Sequence, residues 1–150
     1  MSNAIHEVYA YICVKNVKEA IDFYKSAFGA REHYLLTSPD GRVGHAELYL
    51  GNNILMLAEE FPEVGFSAPK TGEIPPVSIH LHVDNADDMF KAALAAGGIA
   101  EREPQDQFYG ERSCSLRDPF GYRWMLGHSV EDVSVDEMQK RYLAMIEPAE

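Results

Sequence analysis

The chain is poor in cysteine and in positive charge, and each shortage narrows what it can be. Its 150 residues hold two cysteines, Cys13 and Cys114. With no CxxC pairing and no secretory signal, they argue against a disulfide framework and for reduced thiols in a cytoplasmic protein. Lys and Arg number 13 against 24 Asp and Glu, a net charge of −11, which argues against nucleic acid or an anionic membrane as a partner. No apolar run approaches the ~18 residues that a membrane-spanning helix needs. Neither a GxGxxG nor a P-loop is present, so nucleotide cofactors are not expected. A small neutral or cationic ligand is easier to accommodate.

What is present is a repeat. Residues 14–29, VKNVKEAIDFYKSAFG, align with residues 83–98, VDNADDMFKAALAAGG, at an offset of 69. Val14 meets Val83, Asn16 meets Asn85, Glu19 meets Asp88 and Gly29 meets Gly98. Each copy reads as a strand ending in Val, an Asn N-cap, an acidic residue three positions on, an apolar helix face and a glycine stop. Strands are expected at 7–14, 30–36, 43–50 and 53–59, then at 77–83, 99–102, 112–117 and 122–127, with helices at 17–28 and 86–96. The fold class is therefore α+β: two pseudo-symmetric βαβββ modules, about 5–60 and 76–128, forming a curved mixed sheet around a cleft. They are joined by a Pro- and Gly-rich linker over 60–76 within one domain of residues 1–130. Residues 131–150 form a tail, with a capping box from Ser134 to Glu137 and an apolar stripe of Met138, Tyr142, Met145 and Ile146, expected to pack on the domain or on a second subunit.

Alternation assigns the strand faces. Ile12, Val14, Ala46, Leu48, Leu50, Leu55, Leu57, Ile79, Leu81, Val83, Cys114, Leu116, Trp124 and Leu126 belong under the helices. The opposite face then carries Tyr9, Tyr11, Cys13, His45, Glu47, Tyr49, Ile54, Met56, Ser78, His80, His82, Ser113, Ser115, Arg123 and Met125. Tyrosines, methionines and imidazoles suit a small-molecule pocket better than a solvated sheet.

AIDFYKSAFGA, DGRVGHAEL, ILMLAEE, VDNADDMFKAALAAGG, QFYGERSCSLRDPFGYRWML and GHSVEDVSVDEMQKR together resemble the vicinal oxygen chelate superfamily of glyoxalase, bleomycin-resistance and ring-cleaving dioxygenase proteins, and within it the PhnB-like branch. The resemblance covers nearly the whole chain and implies paired βαβββ modules and a homodimer. In metal-dependent glyoxalases the ion sits on the first and last strands of both modules. Those places fall here on Tyr9, Met56, Ser78 and Met125, and a phenol, a hydroxyl and two thioethers do not replace imidazoles and carboxylates. No cofactor is therefore expected.

The cleft assigned to the ligand comprises Tyr9, Tyr11, His45, Glu47, Tyr49, Met56, Ser78, His80, Tyr109, Arg123 and Met125. An aromatic or cationic molecule suits its tyrosines and the acidic chain. The alternative is an enzyme of lyase, isomerase or transferase type, using His80 and Glu47 for acid–base work or a displaced Zn, Ni or Fe site of His45, Glu47, His80 and His82. Arg123 is expected to pair with Glu47 or to anchor a ligand anion. Tyr109 and Arg112 are expected to gate the pocket or to form a turn around Gly110. His128 is expected to cap the pocket or anchor the tail, and Asp118 to make a tight turn with no catalytic role.

Overall fold

A computed structural model describes residues 3–147 of the chain. The first module runs β1 (Ala10–Cys13), α1 (Val17–Phe28), β2 (Arg31–Thr37), β3 (Val43–Leu50) and β4 (Asn53–Ala58). The second runs β5 (Ser78–His82), α2 (Ala86–Ala95), β6 (Ile99–Asp106), β7 (Glu111–Arg117) and β8 (Arg123–Ser129), and α3 (Val135–Ile146) follows. Two βαβββ modules and a C-terminal helix are thus observed. The strands form two four-stranded mixed sheets, ordered β1-β4-β3-β2 and β5-β8-β7-β6, rather than one continuous sheet. No helix among the described residues is long and apolar enough to cross a membrane.

Local chemistry sets the boundaries. Asn16 and Asn85 each accept a hydrogen bond from the backbone N–H three residues on, at Glu19 and Asp88, and so start α1 and α2. Gly29 ends α1 in the left-handed region at φ 69°. The second helix ends differently: Ala96 is its cap, and Gly97, at φ 118°, turns the chain one residue before the expected Gly98. Strand β6 extends four residues past its expected end and through Pro104. It is an edge strand with register shifts between Ala100 and Gln105, so the missing proline N–H costs no ladder bond.

The apolar faces lie where alternation places them. Ile12, Val14, Ala46, Leu48, Leu55, Leu57, Cys114, Leu116, Trp124 and Leu126 are buried, and Leu50, Ile79, Leu81 and Val83 pack against that core. The modules share an aromatic seam in which Phe28 and Tyr24 of α1 lie 4.7 and 5.2 Å from Trp124. Asp118 sits inside this seam. Its carboxylate accepts from Tyr24 Oη at 2.6 Å, from Trp124 Nε1 at 2.8 Å and from the backbone N–H groups of Phe120 and Tyr122 at 2.9 Å. Burial pushes the Asp118 carboxyl above its ordinary range even though all four donors favour the anion. The turn role expected of Asp118 is present, and the same side chain also binds one module to the other.

The tail is held by polar contacts. Arg141 donates to both oxygens of Glu131, at 2.8 and 2.9 Å, and to the carbonyl of Phe108 at 3.0 Å. Helix α3 has no fully buried residue: Tyr142 meets Phe108 at 5.8 Å and Met138 is half-buried, while Met145 and Ile146 are exposed, so the expected stripe packs on its own domain only in part.

Candidate functional site

On the face of the first sheet opposite its helix, β1, β2 and β3 bring four side chains into one hydrogen-bonded chain. Tyr11 Oη lies 2.8 Å from His45 Nδ1, His45 Nε2 lies 2.9 Å from Glu47 Oε2, and Tyr34 Oη donates to the same carboxylate oxygen at 2.8 Å. A carboxylate only accepts, so Nε2 carries the ring proton; in the neutral ring Nδ1 then accepts, and Tyr11 is the donor. His45 and Tyr34 hold the Glu47 carboxyl below its usual range, His45 contributing most. The bond to Glu47 pushes the Tyr34 phenol up. Burial, followed by the nearby Cys13 and Glu47, does the same to Tyr11.

Beside Tyr11 a cavity of about 380 Å³ is walled by Gly44, Ala58, Phe61, Val64 and Phe66. The last three come from the linker, which folds back through a Phe61–Phe66 bridge and a short 3-10 turn at Pro62–Val64. Phe66 meets the Tyr11 ring edge-on at 5.5 Å. Tyr9 and Tyr11 remain 42% and 47% exposed, so this face is open in the single chain.

The second sheet presents a different face. Arg102 donates to the carbonyl and the hydroxyl of Ser113, both at 3.1 Å, and Tyr109 Oη lies 3.3 Å from that hydroxyl. Arg123 is bound to Glu101 at 2.7 Å. The expected Arg123–Glu47 pair is therefore absent: the two residues lie on different sheets, and each has satisfied its charge locally. Arg112 grips Asp87 with two bonds of 2.7 and 3.0 Å and also reaches Asp106, which fixes it at the start of α2 and removes it as a gate. His128 does not anchor the tail; its Nδ1 accepts the Ala86 N–H at 2.9 Å and caps α2.

Of the sequence-assigned cleft, Tyr9, Tyr11, His45, Glu47, Tyr49 and Met56 belong to the first module, whereas Ser78, His80, Tyr109, Arg123 and Met125 belong to the second. No hydrogen bond, ion pair or aromatic contact joins the two sets among the described residues. The acid–base pairing expected of His80 with Glu47 is accordingly not formed, and His45 is the imidazole on Glu47. His80 and His82 line a separate cavity of about 690 Å³ that runs from β5 to Ala10, Ile54 and Met89. His82 also lies 3.4 Å from Glu111 and 3.4 Å from Ser129.

The displaced set of His45, Glu47, His80 and His82 is likewise not gathered; among the described residues no three His, Cys, Asp or Glu side chains are placed to hold an ion. At the places that the resemblance assigns to a metal, Met56 sits opposite Tyr11 and Met125 opposite His80, with Tyr9 and Ser78 two residues earlier in the chain than Tyr11 and His80. Their donor atoms do not fit a hard divalent ion. Burial pushes the Cys13 and Cys114 thiols up to about 11, so neither is a thiolate nucleophile at neutral pH.

A family model for the glyoxalase/bleomycin resistance protein/dioxygenase superfamily matches residues 5–126. The chain belongs to this superfamily. An uncharacterized protein of Mycobacterium bovis is 38% identical over 132 residues, covering 86% of this chain and 87% of its own. A solved gene product of Arabidopsis thaliana superposes with a TM-score of 0.65 at 27% identity, covering 82% of this chain and 98% of its own. The PhnB protein of Bacillus cereus superposes with a TM-score of 0.64 at 16% identity, covering 83% and 100%, and shares the fold. In this superfamily member the family's paired modules are present.

Proposed function

We propose that this superfamily member is a PhnB-like binding protein that takes a planar aromatic or cationic small molecule without the classical metal centre, in a cleft completed by a second copy of the chain. The observation that carries the reading is the open first face, where Tyr34 is bonded to the Glu47 carboxylate and Tyr11 reaches it through His45. Such a wall offers π faces, phenol oxygens and one negative charge to a flat cation. The two modules of one chain turn unlike faces to solvent, one carrying Glu47 and the other Arg102 and Arg123. Opposed across a homodimer they complement each other, and the exposed side of α3 supplies apolar surface for the contact.

The test is thermal shift of the purified protein with acridine orange, berberine and benzyltrimethylammonium, alongside mass-resolved gel filtration. A dimer stabilised by at least one of these at millimolar concentration is expected. A monomer that none of them stabilises would refute the reading. The superfamily's enzymes supply a second reading, favoured by the Tyr11–His45–Glu47 geometry.

A further inference from the structure

Glu47 and His45 are satisfied internally, but the outermost group of the chain is not. Tyr11 donates its only proton to His45 Nδ1, so the remaining lone pairs of its oxygen are free to accept. The same residue borders the cavity walled by Phe61, Val64 and Phe66. A phenol oxygen with its proton already directed at an imidazole, and that imidazole backed by a carboxylate, is the arrangement of a base activated by a proton relay. The Tyr34–Glu47 bond already satisfies a purely structural network, yet the chain of bonds continues to a residue that also lines an apolar cavity.

The geometry points to a metal-free proton-transfer site centred on Tyr11, acting on small aromatic or conjugated carbon acids. This rests on the reading of the first face as ligand-binding and goes beyond it to chemistry. The substrate C–H bond breaks and its proton bonds to Tyr11 Oη, while the Tyr11 proton passes to His45 Nδ1. The C–H electron pair stays with the substrate and moves into its conjugated acceptor. The new imidazolium is held by Glu47, so the phenol never carries a full charge, in keeping with a Tyr11 hydroxyl that resists ionisation. Running the relay backwards returns a proton to the same or a neighbouring carbon, which is isomerisation or exchange without any redox partner. Tyr11 is the catalytic residue; His45 is its proton acceptor, and Glu47 and Tyr34 are positioning residues. Cys13 and His33 are the other titratable neighbours, and neither is hydrogen-bonded into the relay.

The probe is 5-nitrobenzisoxazole, a flat aromatic carbon acid. Loss of its ring C–H proton to a base breaks the N–O bond and gives a nitrile and a coloured nitrophenolate, with no other reactant. The expected second-order rate with the full-length protein is about a hundredfold above that of free imidazole at the same pH. Tyr11→Phe and His45→Gln should each remove most of the excess, Glu47→Asp should keep part of what Glu47→Gln loses, and His6→Gln should change nothing. Melting temperatures measured in parallel show that each variant is folded. A rate no higher than free imidazole, in a protein that still binds aromatic cations, would overturn the relay and leave the binding reading standing. A rate raised by Tyr11→Phe would also overturn it, because the base would then be His45 acting directly.

Discussion

The two modules share one backbone plan and carry opposite chemistry on it. Strand register makes the comparison residue by residue: Tyr11 and His80 face Met56 and Met125, Glu47 and Ser115 pair with the same two methionines, and Tyr34 and Arg102 pair with Glu47 and Ser115. On the first sheet the central charge is a carboxylate held by an imidazole and a phenol. On the second, Ser113 and Ser115 stand in place of His45 and Glu47, and the guanidinium groups of Arg117 and Arg123 share the Glu101 carboxylate. Duplicated apolar faces preserve the fold, because those positions pack against the helices and tolerate little change. The opposite faces are free to diverge, and here they carry different polar groups.

The largest expected effect comes from breaking the joint that lets the modules be compared as one body. Asp118→Ala leaves Tyr24 Oη, Trp124 Nε1 and two backbone N–H groups without their acceptor in a dry seam. The expected loss is about 3 kcal/mol or more of unfolding free energy, measured by urea denaturation. A drop below about 1 kcal/mol would show that the seam hydrates or repacks without cost. The raised Asp118 carboxyl has a definite sign: its contribution is full below the ordinary Asp pKa and is lost as pH rises through the folded value. It therefore opposes the acid lability of the surface carboxylates.

The tail distinguishes the modules next, because only the second module is tied to it. Gly110, at φ 90°, accepts the N–H groups of Val130 and Glu131 through its carbonyl. A β-carbon at that position would lie 2.4 Å from the Glu131 carbonyl. Removing residues after 130 should leave the domain folded and weaken dimerisation by about a hundredfold, the loss of a few apolar anchors. Unchanged oligomer size across a dilution series in analytical ultracentrifugation would show that α3 has no part in the contact.

Exchanging the polarity of the first face is a smaller perturbation. Glu47→Gln should weaken binding of an aromatic cation by about tenfold, read by isothermal titration, since it deletes one charge from the wall. It should also flatten the acid limb of stability. The Glu47 carboxyl is lowered, so its contribution is present above the ordinary Glu pKa and disappears as pH falls through the folded value. If the acid limb of the variant matched that of the parent, the His45–Glu47 contact would be electrostatically idle.

How much of this was legible follows from the range of each interaction. Strand faces follow from alternation within a few residues, and both Asn caps from three-residue spacing, so the modules and the core could be read directly. The His45–Glu47 contact was also within reach, because two residues apart on a strand share a face. Tyr34 was not: the register shifts between Glu32 and Tyr34, and strict alternation fails at such a bulge. Pairing Arg123 with Glu47 presumes that the two faces meet within one chain, whereas Glu101 on β6, across β7 in the same sheet, is the nearer carboxylate. His128 was misread for a similar reason, since its partner at Ala86 lies 42 residues away and is a backbone N–H without any side-chain signal.

The smallest expected effect separates the two histidines of SIHLH, which share a face on β5. His80 is the register counterpart of Tyr11, opposite Met125, and its ring lies against Gly127, where an added β-carbon would come within 3.4 Å of it. His82 is further along and exposed, with its ring 3.4 Å from a Glu111 oxygen. An exposed pair at that distance contributes little, so His82→Ala should change unfolding free energy by no more than about 0.5 kcal/mol. It should leave ligand affinity unaltered, while His80→Ala lowers that affinity. If the two histidines held an ion instead, both variants would lose metal and stability together, and EDTA would reproduce the loss in the parent protein. The expected result is a melting temperature that EDTA does not shift, because among the described residues no three His, Cys, Asp or Glu side chains are gathered to hold an ion. A stoichiometric transition metal measured by elemental analysis, and lost from both alanine variants, would reverse that conclusion and make the second module the reactive one.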